Sequence, residues 1–159
     1  MIATAHRLMN ANRDHPEQST TGYPEAYKSR VAGRHKRRLG DATGLKNFGV
    51  NLTRLDPGAE SSMRHWHSKQ DEFIYVLEGE VTLVTDAGRQ KLKRGMAAGF
   101  PAGNADGHQL VNETKRPVLY LEIGDRTPGD GAIYADVDMA ARVVDGKWIF
   151  THKDGSPYK

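Results

Sequence analysis

From Leu45 onward, apolar and polar residues alternate in runs of about four to eight, each closed by turn residues. Short runs of this kind predict β-strands, because successive side chains of a strand point to opposite faces. The run Asn47 to Leu55 stops at Asp56-Pro57-Gly58, Glu72 to Thr85 at Asp86-Ala87-Gly88, and Arg89 to Lys93 at Arg94-Gly95. Further strands are expected over Met96 to Phe100, His108 to Asn112 and Pro117 to Ile123. Arg142-Val143-Val144 and Lys147 to Phe150 flank Asp145-Gly146, a pair suited to a type I′ hairpin turn. No long amphipathic helix falls between 45 and 130, which disfavours folds with crossover helices and leaves an all-β sandwich or barrel. Residues 1 to 22 are polar and aperiodic, broken by Pro16 and Gly22, and predict an arm. A short helix fits between Pro24 and Gly33.

The strand Glu72 to Glu78 is unusual. Its alternation puts Glu72, Ile74, Val76 and Glu78 on one face and Phe73, Tyr75 and Leu77 on the other, so both faces are largely apolar. A one-sided sheet would expose one of them. A second cover is expected: an opposed sheet, the N-terminal arm or a partner subunit. Homodimerisation follows as an expectation.

A chain of 159 residues suits one domain, and 37% hydrophobic with 27% charged residues is an ordinary globular composition. No apolar run has the length of a membrane-spanning helix, and Met1 to Asn12 has no apolar segment of the secretory kind, so the expected location is the cytoplasm, without a membrane partner. The absence of cysteine excludes disulfides, Cys-ligated zinc and thiol nucleophiles. Any metal must be held by His and carboxylates. The net charge of +3 is uneven: residues 1–40 carry eight Lys/Arg against three Asp/Glu, densest at Lys28, Arg30, Arg34, Lys36, Arg37 and Arg38. Such a run could hold nucleic-acid phosphates, but no stacking aromatics or helix-turn-helix spacing accompany it. A solvated arm is the expected state, nucleic acid is not an expected partner, and a low-affinity anion contact stays open. Residues 1–40 are therefore divided off as a basic arm from a β-barrel unit at 41–159.

The chemistry concentrates at His65-Trp66-His67 and Glu72. Two histidines two apart on a strand project from one face and can chelate one cation. Glu72 lies an odd number of residues beyond His67, so the chain must turn within Ser68 to Asp71 to bring it back. Among the remaining histidines His108, at the head of an alternating run, is the best fourth donor. Trp66 and Arg64 alternate away from the histidines and are expected in packing and at the surface. Gly79 and Gly95 are expected in turns, and His152, Asp154 and Tyr158 in a plain C-terminal tail.

The order Gly58, His65-x-His67, Glu72, Gly79, followed by Gly95, Pro101-x-Gly103, His108 and Asn112, resembles the two motifs of the cupin superfamily over roughly residues 45–125. Here six residues separate Gly58 from His65 and four separate Gly103 from His108, one and two more than the usual pattern. The flanks, Arg37-Arg38-Leu39-Gly40-Asp41 and Lys153 to Tyr158, are similar to single-domain bacterial cupins, some of which carry the label sugar-phosphate isomerase. The resemblance implies a double-stranded β-helix (jelly-roll) barrel followed by a C-terminal extension, with one metal ion held by His65, His67, Glu72 and His108.

Three imidazoles and a carboxylate leave an octahedral divalent ion two open positions, enough for a bidentate hydroxy-carbonyl or diol, or for oxygen if the metal is iron. Zn, Mn, Fe and Ni all suit the set. The expected ligand is a small oxygen-rich metabolite, with isomerase or dioxygenase chemistry as the catalytic options and a non-catalytic binding or sensing module as the alternative. An isomerase needs a titratable group near the metal. Tyr120 and Glu122 share one strand face and qualify if that face points inward. Glu78 lies too far along its strand from Glu72. An internal basic face or a second acid/base pair would favour the enzyme.

Overall fold

The computed structural model describes residues 8–11 and 16–158. Expectations for the N-terminal arm, including the lack of a secretory segment, lie partly outside these residues. Strands dominate: β1 (Arg34–Arg38), β2 (Phe48–Leu55), β3 (His65–His67), β4 (Glu72–Glu78), β5 (Glu80–Thr85), β6 (Gly88–Lys93), β7 (Ala97–Phe100), β8 (Gln109–Val111), β9 (Val118–Asp125), β10 (Gly131–Tyr134), β11 (Ala140–Val144) and β12 (Lys147–Thr151). Among the described residues, helical structure is limited to α1 (Glu25–Lys28), a 3-10 turn (Ser29–Val31) and α2 (Leu39–Thr43). The α1 segment meets the expectation of a short helix after Pro24. No helix among the described residues is long and apolar enough to cross a membrane.

One layer is a five-stranded antiparallel sheet, β1-β2-β9-β4-β7. The other combines β12-β11-β10-β3 with β6-β5-β8, joined where His65 bridges His108 and Glu60 bridges Val111. This is a jelly-roll sandwich, as the strand spacing predicts. Between the layers, Leu55, Ile74, Val76, Val81, Leu83, Leu110, Val118 and Tyr120 form one core. Tyr23, Val31, Met63, Tyr134 and Met139 form a second, where the N-terminal helical segment covers the β10–β11 end.

Three parts differ from the sequence reading. The basic run 34–38 is not a solvated arm but strand β1, paired along its whole length with β2 from Arg34↔Leu55 to Arg38↔Asn51. Its outward side chains are neutralised: His35 Nε2 lies 2.9 Å from Asp56 Oδ2 and Arg37 Nη2 lies 3.0 Å from Glu17 Oε1. Strand β10 has no counterpart in the predicted elements. Gly79 is the turn the sequence predicts, dividing the run Glu72 to Thr85 into β4 and β5. Residue 79 has φ +82°, and an added Cβ would lie 3.2 Å from the Pro117 carbonyl oxygen, so the turn requires glycine for both conformation and space. The second cover is also one-sided. The opposed layer buries Ile74 and Val76, whereas Phe73 and Tyr75 stay 41% and 39% exposed.

Gly95 also has positive φ, but nothing lies within 4 Å of its would-be Cβ. Gly95→Ala therefore costs only the left-handed backbone, about 1–2 kcal/mol. Gly79→Ala adds a backbone clash and is expected to lower urea-unfolding stability by at least about 1 kcal/mol more. Equal losses would show that the Pro117 approach is not rigid.

Candidate metal centre

The site is assembled where β3 meets the chain leading into β8. The His65 N–H donates to the His108 carbonyl at 3.1 Å and the His108 N–H donates back at 2.8 Å, a mutual pair that sends both side chains from one face. His67, two residues along β3, shares that face. The chain then reverses through 68–71, as the odd spacing to Glu72 demands. One carboxylate organises this turn. Asp130 Oδ1 accepts from Ser68 Oγ at 3.3 Å, from the Lys69 N–H at 2.9 Å and from the Gln70 N–H at 3.2 Å. The Asp71 N–H donates to Asp125 Oδ2 at 2.8 Å.

The result is convergence on a single oxygen. Glu72 Oε2 has the Nε2 atoms of His108, His67 and His65 at 2.9, 3.5 and 3.9 Å. The opposite ring nitrogens are occupied: His67 Nδ1–H donates to Asp130 Oδ2 at 2.6 Å and His65 Nδ1–H donates to the Met63 carbonyl at 3.0 Å. With Nδ1 protonated, each neutral ring turns a lone pair on Nε2 inward. Burial drives the His65 imidazole down to about 4, so it is neutral at pH 7. Ring packing fixes the set: Phe100 stacks on His108 at 3.6 Å between centroids, Tyr134 stacks on His65 at 5.3 Å, and Trp148 meets His67 edge-on at 5.8 Å.

These donors fit a cation. Glu72 Oε2 is buried without a hydrogen bond of good geometry, and inward lone pairs around a carboxylate oxygen repel unless positive charge sits among them. His65, His67 and Glu72 thus form a group able to hold a metal ion. Nitrogen and oxygen donors of this kind suit first-row divalent metals.

The centre opens onto a cavity of about 910 Å³ between the layers. Tyr120 and Glu122 both point into this interior from β9. Tyr120 is fully buried, and burial raises its hydroxyl well above the ordinary range, so it stays protonated. Its hydroxyl finds no hydrogen bond of good geometry. Glu122 pairs with Ile74, two residues along β4 from Glu72, which makes the two carboxylates diagonal neighbours about 7–8 Å apart at the backbone. Glu122 Oε1 accepts from Lys36 Nζ at 2.5 Å and from Asn51 Nδ2 at 3.1 Å. Burial would raise the Glu122 carboxyl, but the Lys36 ammonium outweighs it and keeps the group ionised.

Other candidates fall elsewhere. Glu78 is exposed. Arg64 is a surface strut, paired with Asp136 at 2.7 Å and with Asp86. Trp66 lines a smaller cleft that His67, Glu72 and His108 also border. His152 and Tyr158 stack on each other and bind Asp138, away from the cavity mouth. Sequence reasoning missed Asp130, Lys36 and Trp148. A buried acid after Pro128-Gly129 has no spacing relation to His67, and only the pairing of β3 with β10 brings it close.

The family model described as Cupin domain matches residues 51–124. A solved structure of a sugar phosphate isomerase from a cupin superfamily, from Silicibacter pomeroyi, is 46% identical with a TM-score of 0.88, covering 92% of this chain and 93% of that one. A protein from Acidithiobacillus ferrooxidans, provisionally called a sugar phosphate isomerase, is 27% identical with a TM-score of 0.71 over 86% of this chain and 95% of that one. The polyketide cyclase RemF from Streptomyces resistomycificus shares the fold, at 21% identity and a TM-score of 0.65 over 79% and 84% of the two chains. Among curated proteins none matches.

Asp130→Asn would present an amide N–H to the His67 Nδ1–H and disturb that tautomer. Affinity for zinc, read by competition with a colorimetric chelator, is expected to fall roughly 10- to 100-fold. Unchanged affinity would show that Asp130 does not orient His67 for binding.

Proposed function

The chain belongs to the cupin superfamily, and on that premise we propose that it is a metal-dependent isomerase of a small sugar-like hydroxy-carbonyl compound. The observation that carries this reading is the buried Lys36–Glu122 pair on the inner face diagonal to Glu72. It is the second acid/base pair that separates an enzyme from a binding module, and it needs no role in a barrel that only binds. The 46% identical Silicibacter pomeroyi protein, a sugar phosphate isomerase, supports the same chemistry.

His65, His67, Glu72 and His108 would hold the ion. A divalent metal there supplies Lewis acidity to a substrate carbonyl and its neighbouring hydroxyl oxygen. Glu122 is ionised and can take the proton from the carbon beside the carbonyl. Oε1 already accepts from Lys36 and Asn51, so Oε2 is the oxygen assigned to the transfer. Glu122 then returns the proton to the former carbonyl carbon while the hydroxyl proton crosses between the two adjacent oxygens. Substrate and product are isomers, so the step needs no oxidant or co-reactant. Lys36 positions the carboxylate, and Tyr120, protonated at the cavity wall, can donate to a substrate oxygen.

Glu122→Gln keeps the hydrogen-bond geometry but removes the base. Isomerisation of pentose and hexose substrates by the metal-loaded protein is expected to drop roughly 10²- to 10⁴-fold with metal content unchanged. Saturable sugar binding without product in the wild type would instead identify a binding module.

We further propose that the chain is a homodimer through the outer face of the five-stranded sheet. Phe73 and Tyr75 lie exposed there beside their cross-strand partners Ile123 and Leu121, an apolar patch with no cover among the described residues. Light scattering is expected to give twice the chain mass for the wild type and the single mass for Tyr75→Arg; a monomeric wild type would refute the contact.

A further inference from the structure

Strand β1 carries charge on both faces, and the two faces are treated differently. Outward, His35 and Arg37 meet Asp56 and Glu17. Inward, Arg34, Lys36 and Arg38 line the cavity that holds the candidate metal centre. Lys36 is matched by Glu122. Arg34 and Arg38 have no carboxylate partner among the described residues. Arg34 donates to the Ser61 carbonyl and lies 5.9 Å from the Tyr23 ring centroid, contacts that aim its guanidinium without neutralising it.

The other acids lining the cavity are already engaged. Asp41 binds Arg126, Asp125 accepts from the backbone N–H groups of Asp71 and Thr127, Asp130 holds His67, and Glu72 faces the imidazoles. Two guanidinium groups therefore remain on one inner face of one strand, with the Lys36 ammonium between them. Like charges on one face repel: along the strand each arginine stands about 6.8 Å from Lys36, and the two arginines about 13.6 Å from each other. A multiply charged oxyanion is the ligand that matches them, since guanidinium forks hold phosphate oxygens in pairs.

We propose that Arg34 and Arg38 form a phosphate-binding wall that selects a phosphorylated substrate and sets its orientation. This rests on the isomerase reading and deepens it. The carbonyl end would lie at His65, His67, Glu72 and His108 in β3, β4 and the segment leading into β8. The phosphate would lie at β1, which is separated from β4 by β2 and β9. Glu122, on β9 between them, then stands beside the carbons whose proton moves.

The test uses the metal-loaded full-length protein and calorimetric titration with inorganic phosphate, D-ribose and D-ribose 5-phosphate. Wild type is expected to bind inorganic phosphate, and to prefer the phosphorylated pentose at least roughly tenfold. Arg34→Gln and Arg38→Gln should each weaken both effects roughly 10- to 100-fold at unchanged metal content. Arg34→Lys retains charge but not the fork and should fall between. Arg38 is exposed at the end of β1, so its variant remains informative if Arg34→Gln fails to fold. Phosphate affinity indifferent to both substitutions would place the anion on the metal or elsewhere and overturn the proposal, as would no phosphate binding. Isomerisation of pentose and pentose phosphate at equal rates would remove the wall and leave the isomerase reading standing. Arginine-dependent phosphate selectivity without turnover would do the reverse.

Discussion

The Asp130 carboxylate is the contact on which the site depends. A single buried acid 63 residues beyond His67 caps the turn at Ser68 to Gln70 and fixes the His67 tautomer. Without it the turn would leave two backbone N–H groups unsatisfied, and the ring of His67 would be free to present either nitrogen. Both functions bear on Glu72, which enters the site only because the turn reverses the chain at the right residue. The long-range strand pairing of β3 with β10 holds the acid in place, so the donor geometry is a property of the whole second layer and not of the local motif.

Polar groups inside a β-sandwich normally cost stability, and this barrel concentrates them on one side. The apolar core fills the end of the interior where Leu55, Val76 and Val118 face β5 and β8. Toward the mouth the inner rows turn polar, from Tyr120 through Glu122 and Asn51 to Glu72. Some of the charged groups lining the cavity are compensated in pairs: Lys36 with Glu122, and Asp41 with Arg126. What is left uncompensated is informative. Glu72 Oε2, surrounded by nitrogen lone pairs, is deficient in positive charge, while Arg34 and Arg38 are deficient in negative charge.

The barrel itself was legible because most of its strands bury one face, and burial writes apolar alternation into the sequence. The strands β2, β4 to β9, β11 and β12 fall where those runs predict, and the Asp145-Gly146 hairpin has positive φ at both residues, as a type I′ turn requires. Strand β1 was illegible for the same physical reason reversed. Its inner face lines a wet cavity and its outer face is held by acids, so neither face is apolar and the run reads as a solvated arm. The local motif His65-x-His67 followed by Glu72 could be read from spacing, since strand parity alone demands the turn. Asp130 and Lys36 could not, because each reaches the site through cross-strand pairing that leaves no period in the sequence.

These two deficits border one cavity, the arginines on β1 and the His/Glu donors on β3, β4 and the segment leading into β8, and that layout limits what can occupy it. A neutral sugar would satisfy a metal ion but leave the two arginines without a counter-charge. A bare anion would neutralise the arginines but leave the Lys36–Glu122 pair beside nothing that exchanges a proton. A ligand with oxygens at one end and a doubly charged group at the other satisfies both walls at once, and it brings its central carbons past Glu122. The charge layout therefore constrains orientation as well as composition: the reverse docking would leave Arg34 and Arg38 without a counter-charge and carry the carbonyl oxygens away from the His/Glu donors.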